Sequence, residues 1–502
     1  MTPPASRPPI VALLALVMAA CTASGKDMIA LEGATLIDGS GGPPIQDALI
    51  LVRSRHIEAV ARVNEIKIPR GAERISLVGK TIIPGLIDAH AHLTRWAIPR
   101  YLAWGVTTVR DLGNDNDTAF ALKIELNTGS VLGPRMFTAG AMIDGVPATY
   151  ATATAIATGS EARKAVDQRA LAGADYLKIY TKITAELLRP LVDEARTLRL
   201  GVAAHLGKTD ALTAAKAGVI SLEHMAGVVQ AAAHNPRAYL VAHNQFLAGW
   251  TLEEQGWASL DSVTVARTAR ALAATHVAIV PTLVLHETLA HLSDTALLSR
   301  PAMADVPADS GNVVRQVASL LRRSNWRPSD FAAFRRSRPV QDRFVREFRR
   351  AGGLVAVGTD AANQLLIPGE ALHEELALLV AAGFTPVEAI TAATRRNAEL
   401  LHADSLGRVA AGKVADLVVL NANPADQGGG GGGGGGGSIA ATRNIAWVMT
   451  RGRIVRPDSL RAEWKTRCRG TGRSPCSWWP RVSGRPTGRG ARGGGPRPTT
   501  RS

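Results

Sequence analysis

Two histidines one residue apart, His90 and His92, close the apolar run PGLIDAHAHL at positions 84–93. In a strand, residues i and i+2 point to the same side, so the two imidazoles would project together and could reach one metal ion. The plainer alternative is a pair of polar residues on a half-solvated strand end, and spacing alone leaves both open. Further along, Lys178 lies in DYLKIY, His205 in GVAAHL, His224 in VISLEH and Asp360 in VGTD. Each sits at or near the carboxyl end of a short apolar run. Imidazoles and a carboxylate are the ligands of hydrolytic zinc sites. Six residues of suitable type, in register on five candidate strands, make a metal centre the stronger reading.

The elements that would position these residues alternate. Strand-like runs occur at TIIPGLIDAHAH, GVTTVRDLG, PRMFTAG, DYLKIY, GVAAHL, VISLEH, HVAIVPTLV and LVAVGTDA, which makes eight, and helical segments fall between most of them. TAELLRPLVDEARTL follows the fourth. In FTPVEAITAATRRNAELL, Thr385 can cap a helix, Pro386 takes its first position and Glu388 can close a capping box. Eight βα units predict an α/β chain folded as a (β/α)8 barrel, whose active site forms at the carboxyl ends of the strands. Short β runs before residue 80 and after residue 404 flank the barrel and predict a small β-sandwich built from both chain ends. The expected boundaries are 1–21 for a signal segment, 22–80 and 404–464 for the sandwich, 81–403 for the barrel and 465–502 for a basic tail.

Two connections are long, from Met225 to about Thr275 and from Leu285 to about Arg350, and in a barrel they follow strands six and seven on the active-site face. The second is rich in arginine. It reads as a solvated helical face or, more sharply, as a lid carrying a substrate-binding cation. Gly428–Gly437 is an unbroken glycine run with the composition of a flexible coil, with a mean span of roughly 15–20 Å.

Charge narrows the class. The chain has 502 residues, is 46% apolar and 20% charged, and carries a formal +16. From Lys465 onward there are one Lys, nine Arg and no acid, so 16 − 10 leaves +6 for the body. That balance argues against a nucleic-acid partner. The tail itself has the composition of a disordered arm or of a shifted reading frame. Cysteines occur only at positions 21, 468 and 476, so the body offers neither a disulfide framework nor thiol chemistry. RPPIVALLALVMAAC has one Arg, an apolar run too short to span a bilayer, and small residues before Cys21. It resembles an export signal ending in a bacterial lipobox. The expectation is a periplasmic or membrane-anchored lipoprotein acylated at Cys21, with plain signal cleavage as the alternative.

Taken with GKTIIPGLIDAHAH, GVTTVRDLG, SLEH and GKVADLVVLNANP, the set His-x-His, Lys, His, His, Asp resembles the amidohydrolase superfamily, in its imidazolonepropionase-like and prolidase-like branch, over about residues 28–464. The resemblance implies a distorted barrel with a sandwich from both ends and two divalent ions, with Zn2+ the expected identity. His90, His92 and Asp360 would hold one ion, and His205 and His224 the other. Lys178, carboxylated by CO2, would bridge them. A bare ammonium beside two cations would be repelled, and carboxylation turns it into an anion with two oxygens.

The implied reaction is hydrolysis of an amide bond in a dipeptide or N-acyl amino acid by a hydroxide shared between the ions. Asp360 would move the proton to the leaving nitrogen. Tyr180 shares a strand face with Lys178 and could donate to the carbonyl oxygen or to a substrate carboxylate, or could simply pack. His286, just after strand seven, could touch substrate. Arg110 and Asp111 would support the histidines, and Glu223 is expected on the opposite strand face from His224. Other outcomes for the same centre are cyclic-amide, lactone or phosphotriester hydrolysis, or a mononuclear deaminase-like reaction, in which Lys178 would have no evident use. A metal-bound binding protein is a further alternative, against which Asp360 argues. The expected partners are a small-molecule or short-peptide substrate, a membrane reached through Cys21, and further copies of the chain in a homo-oligomer.

Overall fold

The computed structural model describes residues 27–306, 313–363, 365–426 and 438–462. The expected signal segment with Cys21, the Gly428–Gly437 run and the basic tail from Lys465 lie outside the described residues. Leu86–Ala91, Val106–Asp111 and Arg135–Thr138 pair in parallel. So do Tyr176–Ile179, Gly201–Ala204, Ser221–Glu223 and Ala278–Val280. Residues 354–361 complete the ring. Val355 bridges to Ile279 and Ala361 to Ala91, and the Ala89 amide donates to the Val357 carbonyl at 2.9 Å. This eighth stretch is too twisted to run as a regular strand, because Asp360 turns into the left-handed region at φ 63°. The barrel is distorted between its third and fourth strands, where the short strand Ile143–Gly145 wedges in and pairs with Ile179.

The strand alternation decides what each side chain meets. Leu177 and Ile179 point outward into the main core, with Leu188, Leu191 and Val192 of the helix Ala185–Thr197. Burial of each such side chain contributes about 1.5–3 kcal/mol. Tyr176 and Lys178 belong to the other face. Tyr176 donates to the Leu401 carbonyl at 2.6 Å and helps to close the barrel floor.

Both chain ends meet in one eight-stranded sheet, ordered Arg453–Val455, Ile445–Thr450, Leu417–Leu420, Thr81–Pro84, Met28–Leu36, Ile45–Arg53 and His56–Arg62. Glu73–Ser76 pairs with the first half of Met28–Leu36 and Thr81–Ile82 with its second half. The expected β unit from both chain ends is thus present, built on one sheet that branches at its first strand and packs residues of both ends into a common core. Thr81–Pro84, assigned to the barrel from sequence, belongs to this sheet through its pairing with Leu417–Leu420. Gly85, where a Cβ would stand 2.2 Å from the Thr107 hydroxyl, marks the passage from sheet to barrel.

The helix starting at Pro386 has the capping box expected of it, with Thr385 accepting from the Glu388 amide. It does not continue as a plain α-helix. Ala392–Arg396 forms a π turn, and Asn397 follows it. The Asn397 side chain donates to the Ile87 and Val357 carbonyls at 2.6 and 2.8 Å and accepts from the Val357 amide. A buried amide thus ties the first strand to the irregular eighth, and π turns commonly serve such local demands.

Candidate active site

His90, His92, Lys178, Tyr180, His205, His224 and Asp360 line one cavity of about 240 Å3 at the carboxyl ends of the strands. The rings form a chain, with centroids 5.6 Å apart for His92–His90, 4.5 Å for His90–His224 and 4.7 Å for His224–His205. Asp360 Oδ1 lies 3.0 Å from His92 Nε2 and 3.3 Å from His90 Nε2. His90, His224 and Asp360 each offer a ligand atom, all within 4.8 Å of one another.

The other nitrogen of each ring is fixed by what lies behind it. His90 Nδ1 donates to Glu223 Oε2 at 2.7 Å, which leaves Nε2 for the cavity. His92 Nδ1 is 3.2 Å from the Gly113 carbonyl, and His224 Nδ1 is 2.8 Å from the Thr282 hydroxyl. Such partners set the tautomer and the ring direction of a metal ligand. Glu223 in turn accepts from Arg110 Nη2 at 2.9 Å and from Ser221 at 2.5 Å. Arg110 therefore supports His90 through Glu223, as the sequence suggested, while Asp111 accepts from the Leu93 amide just beyond His92.

Glu223 does not face away, contrary to the sequence expectation. The strand ends at Glu223, and His224 follows at φ 60°, so alternation stops between the two residues and both turn toward the site. Asp360, also left-handed, is steadied from below. Asp88 accepts from the Thr359 hydroxyl at 2.7 Å and from the His90 amide. Burial, partly offset by these donors, pushes the Asp88 carboxyl up to about 7.

Burial holds the His90, His205 and His224 imidazoles well below their ordinary value, reinforced by Lys178 for the first two and by His90 for the third. They are neutral near pH 7, as metal ligation requires. For His92, burial works in the same direction, but the hydrogen bond and charge of Asp360 outweigh it and raise the ring. Burial pushes Lys178 down to about 8, against the pull of Glu223 and Asp360. Lys178 is 1% exposed, and its Nζ has no hydrogen-bond partner. An unpartnered buried amine among neutral imidazoles and one carboxylate fits a centre that receives cations and a modified lysine. An unpaired polar group in such a place is otherwise costly.

His286 is placed differently from expectation. It is buried outside the cavity wall, with Nδ1 2.7 Å from Glu254 Oε1 and Nε2 3.1 Å from the His224 carbonyl. Leu285 lines the cavity in its stead. Tyr180 does reach the cavity, where its ring meets that of Tyr150 with centroids 5.4 Å apart. Tyr150, Phe246 and Trp250 complete an aromatic wall that sequence reasoning missed. They come from a loop and from the helix Phe246–Gly256 in the first long connection, where no strand spacing announces a site.

Among solved structures, a candidate prolidase from Bifidobacterium longum is 28% identical, covering 88% of this chain and 99% of its own, with a TM-score of 0.63. A Xaa-Pro dipeptidase with methionine bound in its active site is 21% identical over 86% of this chain and 100% of its own, with a TM-score of 0.62. The bottromycin amidohydrolase is 20% identical over 88% and 90%, with a TM-score of 0.67. The latter two likenesses speak to the fold alone. No curated protein matches the chain. The Amidohydrolase family model matches residues 81–455, which span the barrel, every cavity residue described above and the returning strands of the terminal sheet. The chain belongs to the amidohydrolase family of hydrolases.

Proposed function

We propose that the protein is a binuclear metal-dependent hydrolase that cleaves the amide bond of a short peptide or an N-acyl amino acid. The observation that carries this reading is the unpartnered Nζ of Lys178 on the wall of the cavity that the four histidines line. His90, His92 and Asp360 would hold one ion, His205 and His224 the other, and a carboxylated Lys178 would join both sets. Divalent ions, zinc being the first choice for this donor set, supply Lewis acidity and a water acidic enough to react near neutral pH.

The chain's own groups do the rest. Asp360 borders the cavity and can take a proton from the attacking water and return it to the leaving nitrogen. Tyr180 has a hydroxyl at the cavity that can donate to the carbonyl oxygen where negative charge develops. Tyr150, Phe246 and Trp250 supply an apolar wall against which a substrate side chain can lie. The 28% identical structure described as a candidate prolidase supports a peptide over a lactone or phosphotriester. An unpaired lysine supports two ions over a single-ion deaminase. Export and a lipid anchor at Cys21, and assembly into a homo-oligomer, are part of the same proposal and rest on sequence alone.

The test is metal content per folded chain, measured for the full protein and for Lys178→Ala alongside hydrolysis of a dipeptide and N-acetyl amino acid panel. About two ions per chain are expected, falling in the variant together with at least a hundredfold loss of turnover, an order-of-magnitude figure for disrupting such a centre. A single ion, indifferent to the substitution, would move the reading to a mononuclear reaction.

A further inference from the structure

Beside the catalytic cavity lies a second chamber of about 700 Å3, and the two share Tyr150, Phe246 and Trp250 as a common wall. Among the described residues, Arg323 is the only charged side chain lining the outer chamber. Among the described residues Arg323 has neither an ion pair nor a hydrogen bond. Several other arginines of the connection are occupied. Arg338 pairs with Glu287 and Asp342 at 2.9 and 3.0 Å, Arg335 donates to the Ala290 carbonyl, and Arg300 meets Glu374 and the Leu365 carbonyl.

The end of the helix that carries Arg323 is anchored beside the chamber. This helix, Val313–Ser324, ends just before Trp326, whose indole donates to Thr251 on the chamber wall at 2.7 Å and packs against Trp250. An exposed guanidinium at the rim of a cavity suits a carboxylate, which it can bind through two parallel hydrogen bonds.

We propose that Arg323 is a specificity residue that receives a terminal carboxylate of the substrate, so that the protein prefers peptides and N-acyl peptides ending in a free acid. The proposal rests on the amide-hydrolase reading and narrows it. The inner cavity is smaller than the roughly 300–1,000 Å3 of common ligand pockets. It therefore holds the scissile amide and its immediate substituents, and a longer substrate must continue past Tyr150 and Trp250 into the outer chamber. Once there, an acidic end meets the cation of Arg323 and, among the described lining residues, no acid.

The experiment compares dipeptides and tripeptides as free acids and as their C-terminal amides, using the metal-loaded full chain, Arg323→Met and Arg323→Lys. The acid-over-amide ratio of kcat/KM should be roughly fivefold or more for the tripeptides, the scale of one charge-assisted contact at a partly solvated site. It should collapse toward one in R323M, mainly through KM, and return in part in R323K. Raising salt from about 20 to about 500 mM should shrink it in the wild type.

Equal losses for acids and amides in R323M would overturn the proposal, as would an unchanged ratio. Calorimetric binding of N-acetyl dipeptide acids separates it from the reaction. Arg323-dependent binding without any hydrolysis would reject the amide-hydrolase reading and retain the carboxylate site. Hydrolysis with no dependence on Arg323 would do the reverse.

Discussion

Two imidazoles in this molecule direct Nδ1 at a buried glutamate 2.7 Å away, His90 at Glu223 and His286 at Glu254, and they differ in what the second nitrogen meets. His90 Nε2 opens on the cavity, 3.3 Å from Asp360. His286 Nε2 is taken by the backbone carbonyl of His224. A carboxylate behind a ring therefore does not by itself make the ring a ligand. The first pair belongs to the barrel strands and aims a lone pair at the site. The second joins elements of both long connections, with Gln341 of the helix Pro328–Arg350 also donating to Glu254 at 3.1 Å, and it braces the wall behind His224.

The comparison is broken most forcefully at His286. His286→Leu removes the imidazole and leaves the buried Glu254 without its 2.7 Å partner. Breaking a buried pair in this way costs about 3 kcal/mol or more, read as a lower urea midpoint. Metal content per folded chain should persist, because the His224 ring is still held by Thr282. Loss of the metal at full folding would show that the two pairs are not distinct in role.

Glu223→Gln probes the other pair with a smaller effect. The amide oxygen can still accept from His90 Nδ1, but the charge that makes the ring a better donor to a cation is gone, and one Arg110 contact is weakened. Metal affinity should fall about 10–100-fold, measured by competition with a chelator, while the urea midpoint moves less than in His286→Leu. A midpoint that drops with unchanged affinity would make Glu223 a purely structural member of the barrel floor.

How much of this could be read in the sequence follows from the same contrast. His90, His92, Lys178, His205, His224 and Asp360 all line the cavity because barrel strands obey a two-residue alternation and end on one face. Reading failed where alternation stops. His224 and Asp360 have left-handed backbones, so Glu223 was assigned to the wrong face and the eighth strand appeared more regular than it is. Asn397 was hidden by a π turn inside a helix that reads as continuous. His286 was placed by its nearness to strand seven, whereas it lies within the helix Leu283–Ala290, where a different period governs direction. Tyr150, Phe246, Trp250 and Glu254 lie outside the barrel strands, so tertiary packing alone brings them to the site or behind it.

Glu375 sharpens the comparison with a carboxylate that has no imidazole. It is fully buried and accepts from the Val284 amide at 2.7 Å, one turn from the neighbourhood of His286. Burial raises both Glu375 and Glu254, but Glu254 takes the charge of His286 at close range together with its hydrogen bond, and ends below its ordinary value. Glu375, with backbone donors and only the charges of Arg338 and His286, without a side-chain hydrogen bond, to offset burial, is pushed up to about 7. The sign follows from proton binding. Between the unfolded value near 4.5 and about 7, the folded state holds the extra proton, so this group's contribution to stability is largest at low pH and is lost as pH rises through 7. Allowing for relaxation of the buried site, the loss between about pH 5 and pH 7.5 is on the order of 1–2 kcal/mol. Glu375→Gln cannot ionise, so its stability relative to the wild type should improve by that amount over this range. Parallel pH profiles for the two proteins would show that Glu375 ionises without penalty, and that backbone donors can replace an imidazole as the partner of a buried carboxylate.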